Sequence, residues 1–247
     1  MKSEESKQFT KYYQQERVTG TYDKQREGNE YRINKRRKEL RYFLDLLYKK
    51  GDEEVLELGC SSGFLTKHLG KVTAIDTSTD MLKIAHSKNK LANCIPGDMF
   101  DLKFEDNSFD KVITMRVWNH LDKEDLIKAI REVKKVLKPN GYLIFDAEEK
   151  NWLRRLVAYW YQIITGITGF KIYQYSFAEI REIVEELGFE IKDYQYLKHK
   201  IGRQIIFKAR LKNINKKGCG KIFYGEIGDT IYCGHGGLCS ECGDYGK

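Results

Sequence analysis

From Glu54 onward, short apolar runs alternate with amphipathic ones. The segments VLELG (55–59), VTAID (72–76), ANCIPGD (92–98), KVITMRV (111–117) and YLIFDAE (142–148) are brief and mostly apolar. That is the pattern of strands covered on both faces. Between them, apolar residues at intervals of three and four predict helices from Gly63, from Thr79 and over Lys123–Leu137. Pro139, in KPNG, predicts a turn between the last of these helices and YLIFDAE. A further helix is predicted over Phe177–Leu187, closed by Gly188. FEIKDYQYL and RQIIFKARL follow as two alternating runs that read as an antiparallel pair at a sheet edge. The expectation is an α/β fold: a doubly wound, mostly parallel, seven-stranded sheet with helices on both faces and an antiparallel edge strand.

Residues 1–50 are polar and rich in Lys, Arg, Glu and Tyr, and end in an amphipathic run from Arg36 to Tyr48. Its apolar members, Leu40, Phe43, Leu44 and Leu47, recur at helical spacing and predict a helical arm packed on the later core. After Lys212 the periodicity stops and a Gly- and Cys-rich segment begins. The expected boundaries are an arm over 1–50, a main domain over 51–212 and a tail over 213–247.

Composition agrees with that division. A chain of 247 residues with 41% hydrophobic content can bury one α/β core of roughly 150–200 residues and still carry an appendage. A net charge of +8 with 32% charged residues permits an anionic partner such as nucleic acid, a lipid surface or a phosphorylated substrate, and equally serves solubility. The opening stretch MKSEESKQFTKYYQQER has no apolar core ahead of a cleavage site, and no run approaches the ~18 apolar residues of a spanning helix. The expected location is cytoplasmic. Four of the six cysteines (Cys219, Cys233, Cys239, Cys242) crowd into the tail while Cys60 and Cys94 stand apart, which in a reducing compartment suggests metal thiolates rather than disulfides.

The most informative stretch is VLELGCSSGFLTKHL, residues 55–69. A buried strand ends near Glu57, and the chain turns through Gly59, Cys60, Ser61, Ser62 and Gly63. Glycines there let the backbone approach a ligand closely at the carboxyl end of the strand. The spacing is E-x-G-x-x-x-G rather than the G-x-G-x-x-G that suits a dinucleotide pyrophosphate, which argues against a nicotinamide oxidoreductase. The next strand ends in Asp76, where a carboxylate can accept from both hydroxyls of a ribose; taken by itself, Asp76 could equally be a turn or helix cap.

Together VLELGCSSG, AIDTSTDML, GDMFDLKFEDNSFDKVITMRVWNHL and VLKPNGYLIFDAE resemble, in order and spacing, the class I S-adenosylmethionine-dependent methyltransferases of the Rossmann-like class that act on small molecules. The likeness runs from about residue 20 to 212 and includes YDKQR (22–26), similar to a segment these enzymes place ahead of the cofactor site. The resemblance implies S-adenosylmethionine as cofactor. Glu57, Gly59, Cys60 and Gly63 would shape the pocket for its methionine portion, with Asp76 on the ribose and Thr77 and Met81 against sugar and adenine. Asp98 and Met99 would meet the adenine edge, and Tyr22 and Met115 would complete the site.

Methyl transfer from a sulfonium is an in-line displacement, so proximity and orientation supply much of the catalysis and a base is needed only for a protonated acceptor. His120 is the candidate base, with a structural role as the alternative. TMRVWN stands where similar enzymes that methylate base amino groups carry an (Asp/Asn/Ser)-Pro-Pro-aromatic sequence, which disfavours base methylation. Residues 151–177 carry Trp152 and Trp160 and no charge from Leu156 to Phe170. In such enzymes this segment covers the acceptor pocket, which points to a small apolar or aromatic acceptor. Packing alone, or interfacial contact with an anionic membrane through Arg154 and Arg155, are the alternatives.

In the tail, C-x-x-C (Cys239, Cys242) with Cys233 and Cys219 flanking KIFYGEIGDTIY suits one tetrahedral structural zinc, Zn(2+). His235 is either a substitute for Cys233 or a bystander. The C-G-H-G-G-L-C-S-E-C run also resembles the middle of RING-type fingers, without their final ligand pair. Lys216, Lys217 and Lys221 leave room for nucleic-acid or protein contact, so the rival reading is a scaffold, or an RNA- or protein-directed methyltransferase, that uses the tail for recognition.

Overall fold

Alternation along each strand sorts the core of the sheet into two layers. In the computed structural model, which describes residues 30–152, 156, 160, 172–198 and 202–212, the first strands are β1 (Val55–Leu58), β2 (Val72–Asp76), β3 (Ala92–Pro96) and β4 (Phe109–Thr114). They are followed by β5 (Leu137–Glu149), the two-residue β6 (Gln174–Tyr175), β7 (Phe189–Lys198) and β8 (Arg203–Leu211). Their order is β3-β2-β1-β4-β5-β8-β7, with β6 paired to the end of β5. β1 to β5 are mutually parallel, β8 runs against β5, and β7 closes the edge antiparallel to β8. The seven predicted strands are present, and β6 is an eighth that the sequence reading placed within the acceptor cap.

The chain divides after Lys212, and the described residues all belong to the first of its two units, residues 1–212. On one face of the sheet, α3 (Lys123–Val136) and α4 (Phe177–Glu186) bury Leu126, Ile130, Val133, Ile180 and Val184 against Val112, Phe145 and Phe207. Phe145 lies between Trp118 and Phe207, each 5.1 Å away centroid to centroid. On the other face, α1 (Glu30–Leu47) buries Phe43, Leu46 and Leu47 against Val55, Ile113, Ile144 and Ile206. α2 (Thr79–Lys88) sets Leu82 and Ala85 against Ala74.

Local sequence explains the helix starts. Ser78 caps α2 through the Met81 amide, Asp122 caps α3 through the Asp125 amide, and Ser176 forms a reciprocal capping box with Glu179 on α4. At the far end of α1, the buried Lys111 ammonium donates to the carbonyls of Leu47 and Tyr48 (2.9 and 2.8 Å) and to Glu53 (2.6 Å). A cation is favoured at that end of the helix dipole, and this one locks α1 to β4.

Three expectations change. The helix predicted from Gly63 is a series of turns with a single 3-10 turn at Thr66–His68. Its Thr66 and Gly70 carbonyls are taken by the Asn89 side chain, both at 2.8 Å, and Gly70 turns away with positive φ. KPNG does turn, but inside a long β5 rather than ahead of it: the register with β4 jumps from Phe109↔Leu137 to Lys111↔Tyr142 over a bend at Asn140 (φ +66°). The buried residues of α1 are Arg36, Glu39, Phe43, Leu46 and Leu47, so its inner face begins with two charged residues.

Gly63 (φ +76°) lies so close to α2 that a Cβ would sit 2.7 Å from the Ala85 Cα. Gly63→Ala should lower the unfolding free energy by ~1–3 kcal/mol, combining backbone strain with overpacking. Urea denaturation checks this; an unchanged midpoint contradicts it.

Candidate active site

A crevice opens at the carboxyl ends of β1, β2 and β4, spanning about 1020 Å³ and open to solvent. In a parallel sheet this is where adjacent loops diverge to opposite faces and leave room for a ligand. One wall is the β1 turn (Gly59 to Ser62, with Phe64 and Leu65), the floor is Ile75, Asp76 and Thr77, and the opposite wall is Gly97 to Phe100 with Met115 to Val117. Arg36 from α1 borders the open side.

The β1 turn is rigid for identifiable reasons. Gly59 has φ +66° and a Cβ there would lie 2.6 Å from Val117 Cγ2, so only glycine lets the turn pass the β4 loop. The Cys60 amide donates to the Ile75 carbonyl (3.0 Å) and the Ser61 amide to Asp76 Oδ2 (2.8 Å). Asp76 Oδ1 accepts the Ser78 amide at 2.9 Å. Burial raises the Asp76 carboxyl above its usual range, while the amides of Ser78, Ser61 and Thr77 oppose that shift by favouring the anion.

Glu57 is different. It is buried at the end of β1, accepts the Thr66 hydroxyl at 2.7 Å, and is pushed up to about 8 by desolvation, with the charge of Asp76 adding to it. Burial likewise pushes the Cys60 thiol up, so it stays a thiol and is not a nucleophile. Met81 is buried below the crevice, and Met99 and Phe100 give the opposite wall an apolar face. Asp98 Oδ1 accepts the Phe100 amide (3.1 Å) and holds that loop in a tight turn.

Of the residues expected at the cofactor site, Glu57, Gly59, Cys60, Asp76, Thr77, Met81, Asp98, Met99 and Met115 line the crevice. Gly63 does not; it faces α2. His120 ends the 3-10 turn Trp118–His120 and is not among the lining residues. Tyr22, most of the cap 151–177, and the cysteines Cys219, Cys233, Cys239 and Cys242 lie outside the described residues. Among the described residues no group of three His, Cys, Asp or Glu side chains could hold a metal, and no helix is long and apolar enough to cross a membrane.

Sequence reasoning placed the end of KVITMRV near Met115 and Arg116 at the crevice without giving Arg116 a role, and missed Arg36, Phe64 and Val117, all in the lining. The Arg36 guanidinium stacks 3.8 Å over the Phe64 ring, and the helical spacing of Arg36, Glu39 and Phe43 was the available signal. Arg116 carries a left-handed backbone (φ +60°) that nothing local in the sequence announces.

Residues 56–145 match the family described as methyltransferase domain. Over those residues the chain is similar to methyltransferase domains. Over 117 residues it is 36% identical to a malonyl-[acyl-carrier protein] O-methyltransferase of Erwinia pyrifoliae, covering 44% of this chain and 42% of that relative. Over 173 residues it is 24% identical to a demethylmenaquinone methyltransferase of Thermotoga maritima, covering 60% and 75%. The chain thus spans less than half the length of the first relative. In fold, the chain is similar to magnesium protoporphyrin IX methyltransferase of Synechocystis PCC 6803, solved with bound S-adenosylmethionine. The TM-score is 0.64 at 18% identity, covering 84% of this chain and 97% of that one.

The state of Glu57 is open to measurement. A carboxyl whose pKa rises on folding contributes stability at low pH that is lost as pH rises through its folded value. Between pH 5 and about 8, wild-type stability should fall more steeply than that of Glu57→Gln, whose side chain cannot ionise. Urea midpoints across that range that move in parallel for both proteins contradict the assignment.

Proposed function

We propose that the protein binds S-adenosylmethionine in this crevice and transfers its methyl group to a small acceptor with an apolar or aromatic body. The observation that carries the reading is the arrangement of Asp76 between the β1 turn and α2, because it offers a fixed anion at the ends of two parallel strands. Oδ2 accepts the Ser61 amide and Oδ1 the Ser78 amide, the Thr77 amide also bears on the carboxylate, and lone-pair capacity remains for a hydroxyl. That suits the paired hydroxyls of a ribose.

The lining fits the rest of such a molecule. Met81, Met99 and Phe100 supply apolar, adaptable faces for a purine, and the Asp98 loop carries polar groups to its edge. At the other end, Arg36 gives a fixed positive charge for a carboxylate, and Glu57 gives a carboxyl that an ammonium would draw into its ionised form. Bound S-adenosylmethionine supplies a methyl group on a sulfonium, which needs an aligned acceptor more than it needs acid or base. Met115 and Val117, with Trp118 and Phe145 behind them, give the region beyond β4 an apolar character. His120 remains the candidate to accept a proton from a protonated acceptor. The named activities of the relatives, on malonyl-[acyl-carrier protein], demethylmenaquinone and magnesium protoporphyrin IX, support a small-molecule acceptor without selecting one.

The tail adds a second element that rests on sequence. Four thiolates at Cys219, Cys233, Cys239 and Cys242 suit one structural zinc. Contact of the basic tail with nucleic acid or protein belongs to the same proposal.

Calorimetry with S-adenosylhomocysteine tests the cofactor site. Wild type should bind it, and Asp76→Ala should weaken binding by about 10- to 100-fold, the scale of a lost hydrogen bond to a charged group. Equal affinity in the variant would overturn the site. Metal analysis should find about one zinc per chain, as a single four-thiolate site requires. Zinc should be lost in a Cys239→Ala/Cys242→Ala double variant; a metal-free wild type removes the zinc.

A further inference from the structure

Behind the β4 wall of the crevice lies a buried polar group built from four separated parts of the chain. Glu39 of α1, Asp146 of β5 and Gln204 of β8 are 0%, 2% and 1% exposed. The Gln204 amide donates to Glu39 Oε1 at 2.7 Å and to Asp146 Oδ2 at 2.6 Å. The other oxygen of each carboxylate turns to one residue, Arg116. Asp146 Oδ1 accepts the Arg116 backbone amide at 2.7 Å, and Glu39 Oε2 lies 3.8 Å from its guanidinium.

This arrangement is expensive as mere glue. Two carboxylates beneath a sheet forfeit hydration, and apolar side chains would join α1 to β5 and β8 without that penalty. Arg116 also holds a left-handed backbone (φ +60°), a strained conformation for a side chain of this size and one that collects at functional sites. What results is a guanidinium fixed at the crevice wall next to Met115, its side chain 30% exposed.

We infer that Arg116 is the acceptor-recognising cation of this crevice, that Asp146, Gln204 and Glu39 are its positioning residues, and that the acceptor presents an oxyanion, carboxylate or phosphate, to it. The inference rests on the methyl-donor reading above and adds the charge of the acceptor. A planar fork of donors matches such groups in a way a lysine does not. The acceptor therefore combines an apolar body with an anionic end. Asp146 sits near neutrality, at about 7, raised by burial and then by the neighbouring Glu39 against the pull of the Arg116 amide, the Gln204 amide and the Arg116 charge. The positioning should accordingly respond to pH around that value.

The test uses the full chain with saturating S-adenosylhomocysteine and three probes of one shape: phenylacetate, phenyl phosphate and neutral phenylacetamide, titrated by ligand-observed NMR. Wild type should prefer at least one anion over the amide by tenfold or more, and the better anion identifies the headgroup. Arg116→Ala should lose that preference and Arg116→Lys should keep part of it. Asp146→Asn should reduce it while flattening its pH dependence between pH 6 and 8, which a purely structural role would not do. No anion preference in wild type, or a preference that survives in Arg116→Ala, overturns the inference. Failure of the methyl-donor reading shows separately, as absent S-adenosylhomocysteine binding, and the probes are then compared without it.

Discussion

Both oxygens of Asp76 accept a backbone amide, Ser61 on one side and Ser78 on the other, and the carbonyl of the same residue accepts the Gly97 amide at 3.1 Å. Through this one residue the β1 turn, the start of α2 and the exit from β3 are held in fixed relation. The crevice exists because those three loops cannot move independently. Hydrogen bonds to an ionised acceptor are roughly twice as strong as neutral ones, so a single carboxylate can set the shape of a site. The burial that raises its pKa is opposed by the same amides that it organises.

Around that node the structure divides its polar investment in two. On the β1 side, Glu57 and Thr66 make a buried pair next to Gly59, with the carboxyl pushed up by burial. On the β4 side, Asp146, Gln204 and Glu39 converge on Arg116. α1 takes part in both, with Arg36 over Phe64 and Glu39 beside Arg116. The helix that looks from sequence like a peripheral arm is therefore a wall of the crevice. Its lower half is fixed by Phe43, Leu46 and the Lys111 clamp, which lets its upper half present charge.

The parts legible in the sequence are those written by neighbours in the chain. Period-two and near-continuous apolar runs marked the strands, and apolar residues at intervals of three and four marked the helices, whose starts the structure caps with Ser78, Asp122 and Ser176. The E-x-G-x-x-x-G turn and Asp76 marked the end of the sheet where the crevice lies, because strand and turn chemistry are local. Asn89, which replaces a helix with a 3-10 turn by taking two carbonyls about twenty residues earlier, was not legible. Neither was the bond between Glu39 and Gln204, 165 residues apart, which requires β8 to enter the sheet between β5 and β7. Charged residues on the inner stripe of α1 were a readable sign, since burial of Arg and Glu is rare without a partner.

The central claim is that this crevice carries out methyl transfer. The most direct measurement incubates the purified chain with methyl-labelled S-adenosylmethionine and fractionated cell extract. The account predicts protein-dependent label in a small-molecule fraction, with Asp76→Ala giving background incorporation. Label that never exceeds the protein-free control in any fraction, or that enters equally with Asp76→Ala, would contradict it.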